Sequence, residues 1–385
     1  MQIEDKSTIF MKEQFKKYYD KSSGSLNFPE RLSEREIGYI PFQGSMTRHL
    51  SFGTPSELIT FLIREVPRSV HYSSGYYHAP TLPMAQKGWK GADLIFDIDT
   101  DDLNTPCQGE HNRWICKACN SIGVGKRPTQ CSKCKQPRLK AIKWSCPKCL
   151  DSAKGDTMKL LDILCNDFGI PRNEIEVFFS GSRGYHVSVY SKRYHSMDQM
   201  ARSDIADYVS GRGFLIGTLS LSSKRRYNDL LRSFPEADGE GWKGRIGNHI
   251  INKLDLGTKE SMEQVISQIS KTKTTTLKHL AEDALSLFSA RIDPTVTSDV
   301  HRILRLQGTL HNETGMMKKK CVDLDAFDPT RDPVVIGYEP VKVIVDKSPP
   351  LSMMGEIFGP YSSETVEIPA YAAILLIGKG FAKVV

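Results

Sequence analysis

The chain has 385 residues, enough for one large domain with insertions or for two domains. Its 39% hydrophobic and 25% charged residues are ordinary for a globular protein. The longest apolar run, IPAYAAILLIG, is far too short to span a membrane, and no basic n-region with an apolar h-region opens the sequence, which argues against secretion.

The net charge of +7 is unevenly spread: the stretch from Cys107 to Cys149 holds ten Lys/Arg against one acid, Glu110. The remainder is near balance. Such a stretch attracts a polyanion such as nucleic acid, and the plainer alternative is a lysine-rich solvated loop. Nine cysteines without a secretion signal favour metal ligation or free thiols over disulfides.

In chain order, residues 7–22 read as a helix of mixed character. REIGYIPFQGSMTRHLSF (35–52) alternates like a hairpin around FQGS. Residues 55–66 suggest a helix that opens at Pro55 and ends before Pro67. GADLIFDID is a strand buried on both faces up to Phe96. Residues 107–149 are a cysteine-rich insert. DTMKLLDILCNDFGIP is an amphipathic helix stopped by Gly169 and Pro171. EIEVFFSGSRGYHVSVY (174–190) is two strands around a tight Gly-rich turn. Residues 197–290 are polar and largely helical, with basic clusters such as SSKRRY. The tail from about 330 is Pro-dotted, with short strands and a final apolar segment. This order argues for an α/β (α+β) core with a mixed sheet.

Chemistry concentrates in four places. Asp97 and Asp99 are i and i+2 on one strand, so they share a face with Cα atoms about 6.5–7 Å apart. That spacing suits two carboxylates sharing two divalent cations about 3.5–4 Å apart, and Mg²⁺ wants oxygen ligands. The alternative is a polar turn after a strand, with Asp101 and Asp102 as solvated loop acids.

Three CxxC units, Cys116/Cys119, Cys131/Cys134 and Cys146/Cys149, give a zinc signal. Cys107 and His111 can complete a second site. Spacing does not choose among the pairings. The preferred partition is Cys116, Cys119, Cys131 and Cys134 around one ion, and Cys107, His111, Cys146 and Cys149 around the other. Cys165 reads as core packing, and Cys321 shows no partner.

SGSRGYH (180–186) is a Gly-rich hairpin turn that lets backbone N–H groups approach an anion, with Arg183 and His186 able to meet phosphate oxygens. In RIDPTVTSDVHRILRLQGTLH, Asp293 ends an extended segment and offers a third carboxylate. Thr297 or Ser298 reads as the cap of a short helix. Arg305 and His311 follow, able to contact a triphosphate.

A basic hairpin, a D-x-D, an S-G-x-R-G-x-H and a late Asp with a downstream Arg and His stand in that order. The series resembles the catalytic small subunits of archaeal and eukaryotic DNA primases over roughly residues 30–320, interrupted by the insert. The resemblance implies that Asp97, Asp99 and Asp293 hold two catalytic Mg²⁺ or Mn²⁺ ions. It assigns nucleotide binding to Arg48, Ser180, Gly181, Arg183, Gly184, His186, Arg305 and His311, with Arg35 and Glu36 in the hairpin and Thr309 preceding His311. Ser182 stands where some relatives carry a further Arg. A structural zinc site is implied at Cys107, His111, Cys146 and Cys149, with CKAC…CSKC as a second ribbon inserted into it. Trp114 and Trp144 of this insert, with its lysines, are positioned to stack on and grip single-stranded template, the equal alternative being a ribbon that stabilises the loop or binds a partner protein.

The implied organisation is a catalytic core of residues 1–106, 150–196 and 291–385, a zinc-binding insert (107–149) and a helical subdomain (197–290). The implied activity is primer synthesis on single-stranded DNA from nucleoside triphosphates. The implied partner is a large subunit carrying an iron–sulfur cluster. The implied location is the cytoplasm beside the nucleoid in an archaeon, or the nucleus in a eukaryote, with no membrane. Two rivals are a DxD glycosyltransferase and a non-catalytic zinc-ribbon DNA-binding protein.

Overall fold

A computed structural model describes residues 5–103, 105–144, 146–216, 240–255 and 262–385. The SSKRRY cluster lies outside them. Two four-stranded sheets carry the chemistry. The first runs Ile303–Arg305, Ser69–Ser73, Ile37–Ile40, Thr47–Leu50. The second runs Lys319–Lys320, Ile175–Phe179, Gly184–Val189, Leu94–Asp99. The α/β class stands, but the mixed sheet does not. Every described strand pair is antiparallel. Hairpins such as 175–189 need no crossover helix, and so they close the sheets locally.

The helix Lys6–Ser22 opens with Asp5, whose carboxylate accepts from the amides of Ser7 and Thr8. The helix Pro55–Glu65 has Thr54 as its cap and Pro at its first turn, as the sequence suggested. The helix Pro147–Asn166 begins earlier than expected, at the last CxxC, and packs Leu160, Ile163 and Leu164 into the core behind the second sheet. In the strand Leu94–Asp99, Leu94, Phe96 and Ile98 are fully buried, and alternation puts Asp97 and Asp99 together on the other face.

Residues 240–288 supply the helices Gly241–Lys253, Met262–Lys271 and Thr274–Phe288, which enclose a small core of their own around Ile246, Ile250, Ile269 and Ala281. The helix Gln199–Val209 instead buries Ile205, Ala206 and Val209 in the main core. The apolar run near the end is the helix Ala370–Gly378, buried under the sheet of Tyr361–Pro369, Pro340–Ser348 and Ala382–Val384. No helix among the described residues is long and apolar enough to cross a membrane.

Candidate active site

Antiparallel pairing sets Asp97 opposite His186 and Asp99 opposite Gly184. Asp293 comes from a distant segment, and its amide donates to the Asp97 carbonyl at 2.9 Å. Its carboxylate caps the helix Pro294–Ser298, accepting from the Thr295 amide at 2.9 Å and hydroxyl at 2.6 Å. The cap is therefore Asp293 rather than Thr297 or Ser298, because Pro294 starts the helix three residues earlier. The stretch Ile303–Arg305 that follows is a strand, not its continuation.

Burial, followed by repulsion from Asp99 and Asp293, pushes the Asp97 carboxyl up to about 7. Burial and the same two neighbours also push Asp102 upward. Asp101 is no solvated loop acid. It takes Arg183 Nη1 at 2.7 Å and pairs with Lys143, and although burial opposes ionisation, these cations hold its carboxyl below the usual range. The mutual repulsion of these carboxylates is of the kind a hard divalent cation would relieve, though Asp97, Asp99 and Asp293 do not bring three ligand oxygens within 4.8 Å of one another.

The turn Ser180–Gly184 is locked from both sides. Gly181 has φ +82°, and a Cβ there would sit 2.9 Å from the Met316 carbonyl. A Cβ at Gly184 would lie 1.9 Å from the Ile98 carbonyl, so only glycine lets this strand pair with the D-x-D strand. Ser180 Oγ accepts from the amide of Gly184 at 3.3 Å. Arg183 spans Asp99 at 3.1 Å and Asp101.

His311 Nδ1 accepts from the amides of Glu313 at 3.0 Å and Thr314 at 3.3 Å. Burial and nearby cations keep the ring neutral, so its one proton is on Nε2 and available to an anion. Arg183 and His311 share a cavity of about 260 Å³ with Lys379, Lys140 and Lys143.

The other expected nucleotide ligands lie further back. His186 is neutral through burial and the charges of Lys318 and Arg305. Its Nε2 is 3.5 Å from Asp97 Oδ1, and its Nδ1 has no partner among the described residues. Arg305 donates to Ser69 Oγ and to the Leu310 carbonyl, the latter at 3.2 Å. Thr309 is buried with its hydroxyl on the Leu306 carbonyl. Arg48 is gripped at both donors by Glu36, at 2.9 and 3.1 Å.

Lys87, Arg202 and Lys318 escaped sequence reasoning, and Arg35, placed in the hairpin by the resemblance, takes a structural role it did not foresee. Lys87, fully buried, holds the second oxygen of Glu36. Burial alone would raise the Glu36 carboxyl, but Arg48 and Lys87 outweigh it and hold it low. Arg35, also fully buried, pairs with Asp93 at 2.7 Å and donates to the carbonyls of Glu30 and Ser73. Arg202 donates to the carbonyls of Ala92 and Asp93 at 2.7 Å each, just ahead of the D-x-D strand. Lys318, 1% exposed, donates to the Arg305 carbonyl at 2.9 Å, and burial and Arg305 push its amine down to about 7. No spacing rule marks these residues. Lys87, Arg35 and Arg202 meet acceptors brought from 38 to 110 residues away, whereas Lys318 reaches Arg305 only 13 residues back.

The cysteines fall into two groups, Cys107, His111, Cys146 and Cys149, and Cys116, Cys119, Cys131 and Cys134, each with all ligand atoms within 4.8 Å of one another. This is the preferred partition. Sulfurs in direct contact are 3.3 Å apart for Cys107–Cys149, 3.6 Å for Cys116–Cys134 and Cys107–Cys146, and 3.7 Å for Cys119–Cys131. A tetrahedron with metal–sulfur bonds of about 2.3 Å has edges of roughly 3.8 Å, so both groups fit a tetrahedral metal. Burial and the neighbouring thiols push Cys149 up to about 12 without such a cation.

Trp114 and Trp144 do not face a template. Trp114 is 6% exposed over Gly123, and Trp144 is 5% exposed, donates to the Pro350 carbonyl and meets Phe381 edge-on. Indoles with this much apolar area bury where an acceptor satisfies the N–H.

Comparison with known proteins matches residues 132–323 to the model of the DNA primase small subunit. A DNA primase small subunit of Nitrosopumilus maritimus is 35% identical over 97% of this chain and 98% of its own length. That of Cenarchaeum symbiosum is 34% identical over 99% of both chains. That of Methanothrix thermoacetophila is 32% identical over 99% of this chain and 100% of its own. With D-x-D, Gly-rich turn and cationic cavity assembled on one face, and relatives of this identity along nearly the whole length, the chain belongs to the DNA primase small-subunit family.

Proposed function

We propose that this chain is the catalytic subunit of a DNA primase, a nucleotidyltransferase that joins nucleoside triphosphates into short primers on single-stranded DNA to start replication. The observation that carries the site assignment is Asp97. Its carboxyl is pushed up by burial and by Asp99 and Asp293, and Asp99 is joined by Arg183 to a cavity lined with cations. Asp97, Asp99 and Asp293 hold two Mg²⁺ or Mn²⁺ ions in this reading. When bound, such ions ease deprotonation of the attacking hydroxyl and stabilise the departing pyrophosphate. Arg183 and His311 hold phosphate oxygens as donors, His311 through its Nε2 proton. The Ser180–Gly184 turn, with Gly181, fixes Arg183 against Asp99. His186 and Arg305 set the position and charge of the wall behind Asp97. Arg48 is clamped by Glu36 on the first sheet, and its contact with nucleotide rests on the family resemblance. With both reactants charged, most of the acceleration is positioning and charge offset.

The thiolate-rich donor sets favour zinc as the structural metal at both cysteine groups. A large subunit carrying an iron–sulfur cluster completes the proposed enzyme. Seven cysteines of this chain lie in the two groups, and the remaining two are core residues, Cys321 buried and Cys165 packed against the core. The working division remains a core of residues 1–106, 150–196 and 291–385, an insert of 107–149 and a helical part of 197–290. We assign the enzyme to the nucleoid. Neither the glycosyltransferase nor the non-catalytic reading explains why a Gly-rich turn aims Arg183 at Asp99.

The test is primer synthesis on single-stranded DNA with labelled nucleotides and Mg²⁺ or Mn²⁺, adding large subunit where needed. Asp97→Asn and Asp99→Asn should each lose about 10²-fold or more, as expected when metal-held charge stabilisation is broken. Products that survive both changes remove the carboxylate assignment.

A further inference from the structure

We propose that the cysteine ribbon supplies two phosphate-binding lysines, Lys140 and Lys143, to the nucleotide cavity, and so takes part in reading the triphosphate. The inference rests on the primase reading and gives the insert a role beyond supporting a loop.

The strand Leu139–Ile142 ends in two different cores. Leu139 is buried with Trp114, Cys116 and Cys131 in the ribbon's own cluster, and Ile142 is buried in the main core. Register is fixed against the strand Arg113–Cys116, with Cys116 opposite Leu139 and Ile115 opposite Lys140. Lys140 is therefore one step along the ladder from a metal-group cysteine, on a backbone pinned at both ends. The exposed stretch between the pinned ends, together with Lys143, forms one wall of the cavity of about 260 Å³. Arg183 and Lys379 complete the cationic lining, the neutral His311 adds a donor, and Glu313 is its one carboxylate.

Four cations against one acid suit a strongly anionic ligand. The size points to phosphates rather than a whole nucleotide, which needs about 300 Å³ or more. Lys143 also pairs with Asp101, which in turn holds Arg183, whose other donor is on Asp99. The ribbon is thus wired to the D-x-D through three ion pairs in series. Lys379, 8% exposed and 2.7 Å from Glu313, shows that the far wall is already neutralised in part, leaving the ribbon lysines as the cations still open to solvent. A lysine-rich solvated loop would carry its charges on unpinned backbone and away from the carboxylate strand. Neither holds here.

The test is titration calorimetry of the intact chain with Mg²⁺ and ATP, ADP or AMP. It compares wild type, Lys140→Ala/Lys143→Ala and the charge-keeping Lys140→Arg/Lys143→Arg. Both lysines are exposed, so folding is not at stake. The alanine pair should bind ATP about tenfold or more weakly, ADP less so, and AMP as wild type does, with the arginine pair near wild type for all three. Single-stranded DNA affinity should not change by more than its ordinary salt dependence. Unchanged ATP affinity in the alanine pair overturns the proposal. So does a loss confined to DNA, which would make these template-gripping residues. Failure of the primase reading shows separately, as primer synthesis that survives Asp97→Asn.

Discussion

At the scale of single residues, Asp97 stores a conflict that protonation, a bound cation or loss of its charge would relieve. Its carboxyl titrates near 7 in the folded chain against 3.8 for the ordinary side chain. The folded state therefore holds this proton more tightly than the unfolded state. Its contribution to stability is highest below about pH 4 and is lost as pH rises through about 7. Asp97→Asn removes the conflict. In chelator, the variant should melt with wild type near pH 4 and a few degrees above it at pH 8, the gap opening between those values. Differential scanning calorimetry across that range checks it, and an equal gap at all pH values refutes the coupling. Added Mg²⁺ should raise the melting temperature of wild type and not of the variant. The same reasoning explains the buried Arg35–Asp93 pair: removing one partner of such a pair costs about 3–5 kcal/mol, because the other is left buried and uncompensated.

At the scale of elements, the Gly184–Val189 strand shows how backbone proximity sets catalytic geometry. Gly184→Ala puts a methyl group 1.9 Å from the Ile98 carbonyl and must slide or part the two strands. It should cost about 3 kcal/mol or more and abolish primer synthesis, whereas Gly169→Ala, with open space around φ +63°, should cost about 1 kcal/mol and leave activity intact. Urea unfolding and a primer assay separate the two.

Sequence periodicity revealed the 174–190 hairpin, the Pro55–Glu65 helix and the D-x-D strand, because each is governed by local alternation or capping. Cysteine spacing likewise signalled metal ligation, although the pairing into two groups was a preference that spacing alone left open. What stayed hidden was set by distant partners. Asp101 looked solvated because Arg183 reaches it from 82 residues away. Trp114 and Trp144 looked like stacking platforms because their own segment is polar, and their apolar cover comes from Gly123 and from Phe381 near the far end of the chain. The antiparallel sheets were hidden because strand direction depends on which distant strand arrives alongside.

At the scale of the whole molecule, stability is divided between a large core and two satellites, one in the helices of 241–288 and one in the ribbon. The ribbon cluster has only four buried members, Trp114, Cys116, Cys131 and Leu139, too few to hold three short strands without metal. Prolonged treatment with a strong chelator should therefore expose the segment 113–142 to protease while the sheet of Pro340–Ser348 stays protected. Limited proteolysis read by mass spectrometry tests this. Uniform protection after verified metal loss would show that packing alone holds the ribbon.

The amide of Asp293 on the carbonyl of Asp97 also bears on how the chain is made. At about 5–20 residues per second, roughly 10–40 s separate the emergence of these two positions from a ribosome. The Lys379 wall follows later still. For all that time the first two carboxylates have neither their third partner nor their cationic wall. On the proposed reading, the site is assembled only after Asp293 and the Lys379 segment have been made.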